Sequence, residues 1–549
     1  MTDRPIARRT LLQSAGAGAV AAGLGGVSSF AVWRSAEAQQ DPRTLVVAGD
    51  SDIDTLDPHS FKSIGAYLAQ ANIYDSPLTW RVRPVEGRPG LFRSHPGEYE
   101  GGICESWSLE RDGATIVLRL REGVRFPSGR PVDAAALKFG FDRGVQSPGY
   151  MRVVVPLLTR INSPDAFVVR DARTVAINMP APTPLGLEAL ALITNSVIDP
   201  EEVKAHATPS DPWAAEWMRR NVAGIGPYRL TKNEPGVEFV LEATPNHWRP
   251  EPFFRRIVVK FVPSEADRVL LLRRRAVDIV SGRPGLSPRS VASLQGAPGL
   301  QTITVPDTVC HWLNMNCQRA PFNNVKVRQA INYAIPIQAI LPNVVQGFGA
   351  QMRSPLPALM PGHDGTVSPY RHDIERARAL MREAGLGSEP IPVTLSIRVG
   401  WLPHEQAATW IQPELEKLGF RVTISRETDA TFRQTAIRGD HQLSIESWQS
   451  WINDPFFHMF FNFHTNARGT NSSRYSNPAL DRLIDENMHE TDPEKRLAAA
   501  RQGQRMLVED AVWGFLWYDN WTRVARADLT GVEKRWDTFE RFFSMRLAA

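Results

Sequence analysis

Residues 222–280 constrain the fold more than any other stretch of the 549-residue chain. Apolar and polar side chains alternate over 228–243 on either side of a turn at 233–236, which predicts a β-hairpin. The apolar, β-branched run 257–262 has the length of a buried strand. From Ser264 the apolar period changes from two to about 3.6 residues, so a helix is predicted with Ser264 as its N-cap. Strands that alternate with helices in this way indicate an α/β protein.

Three short motifs in this stretch carry a resemblance to a known family. They are Gly-Ile-Gly-Pro-Tyr-Arg-Leu at 224–230, Pro-Asn-His-Trp-Arg at 245–249 and Val-Asp-Ile at 277–279. In this order and spacing they resemble family 5 extracellular solute-binding proteins, the peptide- and nickel-type receptors of ABC importers. Similar segments recur from about Leu56 to the C-terminus, although His247 stands where the family usually has tyrosine. The resemblance implies an α/β, periplasmic binding protein-like fold of type II, the large peptide-binding class, with two α/β lobes, a hinge and an extra subdomain.

The resemblance also implies how the chain is divided. We expect a leader peptide, a first lobe with an extra subdomain, and a second lobe. The predicted boundaries are 1–38 for the leader, 39–75, 225–300 and 512–549 for lobe I, 76–224 for its subdomain and 301–511 for lobe II. Within lobe I, the stretch 282–298 is rich in Gly, Pro and Ser and is predicted to be a loop.

The N-terminus predicts export. Arg8 and Arg9 precede a weakly apolar, glycine-rich segment at 15–32, and Ala36-Glu37-Ala38 fits an A-x-A cleavage site. Paired arginines before such a segment are typical of a twin-arginine signal peptide, so we expect a periplasmic protein. An uncleaved membrane anchor is the alternative, but its alanines and glycines would make it poorly hydrophobic.

The charge balance argues against a nucleic-acid partner. The net charge is +4, and removal of the leader, with its four arginines and two acidic residues, lowers it to +2. Binding to nucleic acid requires a clustered basic surface, for which this charge is small. The hydrophobic share of 42% and charged share of 22% are ordinary for a soluble protein, whose length predicts about three or four folding units.

Two lobes that close about a hinge are expected to bind their solute between them. Aromatic side chains suit the walls of such a cleft when the ligand is organic, with apolar and hydrogen-bonding parts. The candidate ligand-binding residues are Tyr74, Trp312, Asn314, Arg398, Trp401, His404, Trp448, Trp451 and Asp454. Tyr74 is included because the family position that it resembles usually lies near the cleft. A role in the core remains open for Tyr74 and the tryptophans, and a structural role for the polar residues.

Residues 448–455 bear on the type of ligand. In peptide-binding relatives an aspartate three residues before a Glu/Asp-Pro pair holds the peptide α-ammonium. The resemblance aligns Asp454-Pro455 with that pair and places Trp451 at the aspartate's position. A buried charge without a partner is unfavourable, so an ordinary free-N-terminus peptide is disfavoured unless Asp454 itself faces the cleft. Modified peptides, opines, sugars and nickel chelates therefore become more credible ligands.

The motifs of common enzyme sites are incomplete. His404-Glu405 begins an H-E-x-x-H zinc motif, but Ala408 occupies the position of its second histidine. Gly224-Ile225-Gly226 lacks the third glycine of a dinucleotide-binding loop. We therefore expect no enzymatic activity and no cofactor, and the resemblance implies a monomeric receptor that passes a small-molecule or peptide solute to an inner-membrane ABC permease. The alternative from a different class is a secreted hydrolase that uses Asp454 or another carboxylate.

Overall fold

The computed structural model describes residues 41–60, 63–283, 285–387 and 389–548, and the leader predicted at 1–38 lies outside these residues. The described residues form twenty strands and sixteen α-helices. The strands are β1 (Thr44–Gly49), β2 (Leu78–Pro84), β3 (Leu91–Gly101), β4 (Cys104–Glu110), β5 (Thr115–Leu120), β6 (Phe167–Asp171), β7 (Thr174–Asn178), β8 (Tyr228–Glu234), β9 (Glu238–Ala243), β10 (Arg256–Phe261), β11 (Ile279–Val280), β12 (Leu300–Met315), β13 (Gly349–Gln351), β14 (Ile391–Arg398), β15 (Phe420–Glu427), β16 (Leu443–Gln449), β17 (Trp513–Arg526), β18 (Leu529–Thr530), β19 (Val532–Lys534) and β20 (Arg546–Leu547). The helices are α1 (Ile64–Ile73), α2 (Ala134–Gln146), α3 (Met151–Thr159), α4 (Gly186–Ala191), α5 (Pro200–Ala205), α6 (Ala215–Met218), α7 (Glu265–Arg273), α8 (Pro288–Leu294), α9 (Val325–Ala334), α10 (Ile337–Ile340), α11 (Ile374–Glu383), α12 (Leu402–Glu416), α13 (Asp429–Arg438), α14 (Pro455–Phe463), α15 (Pro478–Asn487) and α16 (Pro493–Glu509).

Two long strands join the two halves of the main sheet. Its order is β15-β14-β16-β12-β17-β11-β1-β10-β9-β8, with β13 paired to β17. The first part of β12 pairs with the last part of β17, which also contacts β11. The last part of β12 pairs with both β16 and the first part of β17. Strands β12 and β17 thus belong to both lobes, and the predicted two-lobed α/β fold is confirmed.

The ladder between β12 and β17 is interrupted where the lobes meet. Pro306 pairs with Asn520, and the next pair is Cys310 with Tyr518, so the register shifts between them. An interruption of this kind leaves backbone unpaired and redirects side chains. It places the intervening residues of β12 and Asp519 of β17 at the boundary between the lobes.

The stretch that most constrains the fold forms the elements predicted for it. Strands β8 and β9 make an antiparallel hairpin, β9 pairs with β10, and β10 runs parallel to β1. The Ser264 hydroxyl accepts a hydrogen bond from Asp267 N at 3.3 Å, and α7 begins at the next residue. A Cβ added at Gly226 would lie 2.3 Å from the carbonyl carbon of Ile73, so the close approach of two backbones requires glycine there.

The prediction of a loop over 282–298 is wrong at its centre, where residues 288–294 form α8. The Ser287 hydroxyl caps this helix by accepting from Ser290 N, and Pro288 occupies its first turn. Val291 and Leu294 bury its inner face. Proline is favoured in the first helical turn because a backbone N–H at that position has no intrahelical acceptor and can be absent. The Ser-Pro pair therefore marks the start of a helix, which the Gly, Pro and Ser content of the stretch did not indicate.

The described residues form three smaller sheets besides the main one, and the smallest of them pairs β18 with β20. Strands β4, β5, β7 and β6 form a four-stranded antiparallel sheet, and β19, β3 and β2 form a three-stranded one. In the latter, Val532 pairs in parallel with Leu91, so the C-terminal segment lies against residues of the predicted subdomain. No helix in the described part of the chain is long and apolar enough to span a membrane.

Candidate ligand-binding cleft

A cleft lies at the interruption between β12 and β17, with an empty volume of ≈ 980 Å³ when the open solvent at its mouth is included. Asp307, Val309 and His311 of β12 line it, as do residues 519–523 of β17. One lobe adds 281–283 after β11 and the start of α8, the other adds Trp401, His404 and Gln449, and the C-terminal segment adds Thr538, Phe539 and Glu540. Both lobes and both joining strands therefore contribute walls.

Aromatic rings form much of the wall. Trp401, Trp517, Trp521 and Phe539 all line the cleft. The His311 ring stacks on Trp517 with centroids 4.6 Å apart and planes at 15°. Flat apolar walls of this kind favour an organic solute, because aromatic rings bury large areas with little loss of side-chain freedom.

Two histidines and a carboxylate form a hydrogen-bonded chain along the cleft. Asp519 Oδ2 lies 2.7 Å from His311 Nε2, and His311 Nδ1 lies 2.9 Å from His404 Nε2. Burial, together with the nearby His311 and the cations of Arg398 and Arg283, lowers the pKa of His404 well below its usual value, so its ring is neutral at pH 7. His404 Nδ1 is buried without a hydrogen-bond partner among the described residues.

The other carboxylates of the cleft are paired. Asp307 lies 2.8 Å from Lys534, and both side chains are almost fully buried. Glu540 accepts from the Ser281 hydroxyl at 2.7 Å and from Arg523. Burial lowers the pKa of Lys534, and Asp307 opposes that shift. These ion pairs fix the C-terminal segment against the cleft and leave its carboxylates neutralised.

Arg283 is different, because it lines the cleft without an ion-pair partner in the described structure. Its Nη1 donates to Gln449 Oε1 at 3.4 Å, and its Nη2 is buried without a hydrogen-bond partner among the described residues. Gln449 Oε1 also accepts from the Thr538 hydroxyl at 3.1 Å, whereas its Nε2 is buried and likewise unpartnered there. Two unused donors from opposite lobes thus face one cleft.

An aromatic cluster adjoins the cleft and joins all parts of the molecule. Trp451 contacts Trp448 at 6.3 Å, Tyr67 at 6.3 Å and Tyr150 at 5.2 Å between ring centroids. Tyr67 stacks at 4.1 Å on Phe539, which also lines the cleft. Helix α1, the residue that caps α3 and the segment after β16 therefore meet through the rings around Trp451.

The structure brings four of the nine predicted site residues to the cleft or its border. Trp401 and His404 line the cleft, and Trp448 and Trp451 belong to the adjoining aromatic cluster. Tyr74, Trp312 and Asn314 are buried elsewhere in the core. Trp312 stacks on Trp513 at 3.9 Å, and Asn314 exchanges hydrogen bonds with Ser472.

The remaining two predicted residues are engaged within lobe II. Arg398 donates to Glu446 at 3.1 Å and lies over the ring of Trp401, behind the cleft wall. Asp454 Oδ1 caps α14 by accepting from the backbone amides of Phe456 and Phe457 at 2.9 Å each, and its Oδ2 pairs with Arg496. Both carboxylate oxygens of Asp454 are thus already engaged by other groups in this conformation.

The sequence predictions missed most of the polar cleft residues. Arg283, Asp307, His311, Gln449 and Asp519 had no motif to mark them. A general rule could have found two of them, because ligands of open α/β sheets lie beyond the carboxyl ends of strands. Arg283 follows β11 and Gln449 ends β16.

Among the described residues no group of three or more His, Cys, Asp or Glu side chains could hold a metal ion.

A two-lobed sheet with a cleft at its crossing strands defines the class of bilobal solute-binding proteins. The chain belongs to the family described as "Bacterial extracellular solute-binding proteins, family 5 Middle", whose model matches residues 98–470. The predicted family membership is thereby confirmed.

Relatives agree with this assignment along nearly the whole chain. A protein of Escherichia coli K12 named "Probable D,D-dipeptide-binding periplasmic protein DdpA" is 28% identical, and the alignment covers 89% of this chain and 91% of that protein. The fold is similar to that of the periplasmic binding protein DppA from Helicobacter pylori in complex with the peptide STSA, with a TM-score of 0.79, 23% identity and coverage of 92% and 98%. It is also similar to MoaA from A. tumefaciens in complex with mannopinic acid, with a TM-score of 0.77, 20% identity and coverage of 92% and 99%.

Proposed function

We propose that this protein is a periplasmic receptor that captures a small peptide-like or modified-peptide solute and delivers it to an inner-membrane ABC permease. The observation that carries the proposal is the cleft at the two joining strands, which combines aromatic walls with unused hydrogen-bonding groups from both lobes. A solute bound there touches both lobes, so it stabilises the closed arrangement relative to an open one. Relatives named for dipeptides and D,D-dipeptides support the peptide-like class.

The proposed solute lacks a free α-ammonium at the usual place. The resemblance aligns Trp451 with the ammonium-binding aspartate of peptide-binding relatives, and the nearby Asp454 is engaged by α14 and Arg496. A primary ammonium would therefore lose the aspartate that holds it in peptide-binding relatives, which is unfavourable. Opines form the second candidate class, favoured by the loss of that aspartate and by the related fold that binds mannopinic acid.

The receptor is proposed to act as a monomer, without enzymatic activity, with the domain boundaries stated above. The peptide and opine classes are tested by a thermal-shift screen of the protein purified from the periplasmic fraction. The panel contains free and N-acetylated dipeptides, D,D-dipeptides, opines, sugars and nickel chelates. Binding to the native state alone raises its stability by about 2.7 kcal/mol at a hundredfold excess over Kd.

Stabilisation by N-acetylated dipeptides or opines, with no turnover of the ligand, is the expected result. Stabilisation by free-N-terminus dipeptides alone would contradict the interpretation of Trp451. Steady hydrolysis of a panel member would instead favour the secreted hydrolase.

Export by the twin-arginine route is proposed from the leader sequence. Replacement of both Arg8 and Arg9 by lysine should retain the protein in the cytoplasm, because the paired arginines identify such leaders. Cell fractionation measures this, with Arg34→Lys as a matched control in the same leader. Undiminished export of the double variant would overturn the proposed route.

A further inference from the structure

Arg283 is a partly buried cation that the described structure leaves without an ion-pair partner. Its Nη2 has no hydrogen-bond partner among the described residues, and its only hydrogen bond in that part of the chain is the one to Gln449. Burial lowers the pKa of the guanidinium, and the carboxylates of Asp519 and Asp307 oppose that shift from a distance. An arginine remains charged in proteins, and a ligand anion in direct contact with the unused Nη2 would stabilise it further.

We propose that Arg283 and the amide of Gln449 together bind a carboxylate of the solute. This inference rests on the proposed function, because it assigns a chemical group to the ligand of the same cleft. Arg283 follows β11 in one lobe and Gln449 ends β16 in the other, so a shared carboxylate is held by both lobes at once. The guanidinium Nη2 and the amide Nε2 are the two unused donors, and a planar carboxylate has two oxygens to accept from them.

The charges around the cleft favour a single negative charge over a doubly charged group such as phosphate. Asp519, Asp307 and Glu540 already line the cleft, and the last two have their own cationic partners. Arg283 is the cleft cation without an ion-pair partner among the described residues, so it can pair directly with one carboxylate, whereas a second negative charge would be repelled by Asp519. The ligand class is therefore a monocarboxylate whose body lies between aromatic walls.

The proposal is tested with matched pairs of ligands that differ only in this charge. N-acetyl-L-Ala-L-Ala, D-Ala-D-Ala and L-Ala-L-Ala are each prepared as the free acid and as the C-terminal carboxamide. Isothermal titration calorimetry measures their affinities for the parent, for Arg283→Gln and for Arg283→Lys. The carboxamide keeps the size of the group and removes its charge.

For at least one pair, the parent is expected to bind the acid about 10- to 100-fold more tightly than the amide, the range of a charged hydrogen bond. Arg283→Gln should reduce acid binding to the level of the amide without change for the amide itself, and Arg283→Lys should restore part of the difference. The control is Arg289→Gln, an exposed arginine on the neighbouring α8, which should behave as the parent. Thermal melting of each variant establishes that it is folded.

Three results would overturn the inference in distinguishable ways. Equal binding of acid and amide by the parent would remove the carboxylate from the proposal and leave the receptor function intact. Acid-selective binding that survives in Arg283→Gln would assign the carboxylate to another residue. Binding of no pair by a folded parent would overturn the peptide-like solute itself, together with the inference that rests on it.

Discussion

His311 Nδ1 lies 2.9 Å from His404 Nε2, and this contact links a joining strand to the first turn of a helix in the second lobe. The carboxylate of Asp519 lies 2.7 Å from the other ring nitrogen of His311 and can only accept a hydrogen bond. When His311 is neutral, its proton therefore lies on Nε2 and its Nδ1 accepts from His404 Nε2–H. In that state His404 Nδ1 is an acceptor at the cleft. The Asp519 carboxylate determines this through His311, without contacting His404 itself.

The first prediction concerns the tautomer of His404. In the parent the protonated nitrogen should be Nε2, because Asp519 orients the chain through His311. Nitrogen-15 NMR of histidine-labelled protein distinguishes the two tautomers. In Asp519→Asn the amide can donate to His311, which permits the opposite orientation and a donor at His404 Nδ1. A parent His404 protonated on Nδ1 would contradict the assigned direction of the chain.

The second prediction concerns the glycine signature at 224–230. Gly226→Ala should lower the free energy of unfolding by about 3 kcal/mol, the upper range for overpacking, because its Cβ would meet the backbone of Ile73 and Tyr74 within 2.5 Å. Backbone atoms cannot rotate away as a side chain can. Urea unfolding followed by circular dichroism measures the change.

Gly469→Ala provides the control for that substitution, since a Cβ at Gly469 has no described atom within 4 Å. A change there within about 0.5 kcal/mol is expected for a surface site. Equal effects at both glycines would show that the close approach to α1 does not account for the glycine at 226.

The sequence predicted local structure well and the polar cleft poorly, for a physical reason. The cap at Ser264 and the hairpin that precedes it depend on residues a few positions apart, which a local pattern records. Arg283 and Gln449 are 166 positions apart, and only the folded sheet places them in one cleft. Trp401 and His404 could be predicted because their aromatic and polar types occur together in one short segment, whereas Arg283 lies in a stretch whose composition indicated only a loop.

The third prediction assigns a structural role to Asp454. Asp454→Ala should destabilise the protein by about 3–5 kcal/mol, because it leaves Arg496 without its buried partner and removes the cap of α14. Asp492 caps α16 in the same way but is much more exposed, so Asp492→Ala should cost only about 1 kcal/mol. Chemical unfolding of both variants makes the comparison. A smaller loss of unfolding free energy in Asp454→Ala than in Asp492→Ala would contradict the structural role assigned to Asp454.

The last prediction concerns stability in acid. Burial lowers the pKa of His458 to about 3, and its Nε2 lies 3.0 Å from Pro355 O, so the folded protein holds the neutral ring with Nε2–H as donor. In the unfolded chain His458 binds a proton near pH 6.5, whereas in the folded protein its ring stays neutral at that pH. The free energy of unfolding therefore decreases as the pH falls below about 6.5. Between pH 7 and pH 5 this histidine should contribute a loss of about 2 kcal/mol.

His458→Gln isolates that contribution, because the glutamine amide can still donate to Pro355 O but does not titrate. The variant should be less stable than the parent at pH 7, yet lose about 2 kcal/mol less between pH 7 and pH 5. The stability curves of variant and parent must be compared, because other groups also titrate in this range. Burial raises the pKa of Glu188 to about 7, so protonation of Glu188 opposes the loss of stability as the pH falls. Parallel stability–pH curves for the two proteins would mean that His458 is already protonated in the folded state, or stays neutral in the unfolded one.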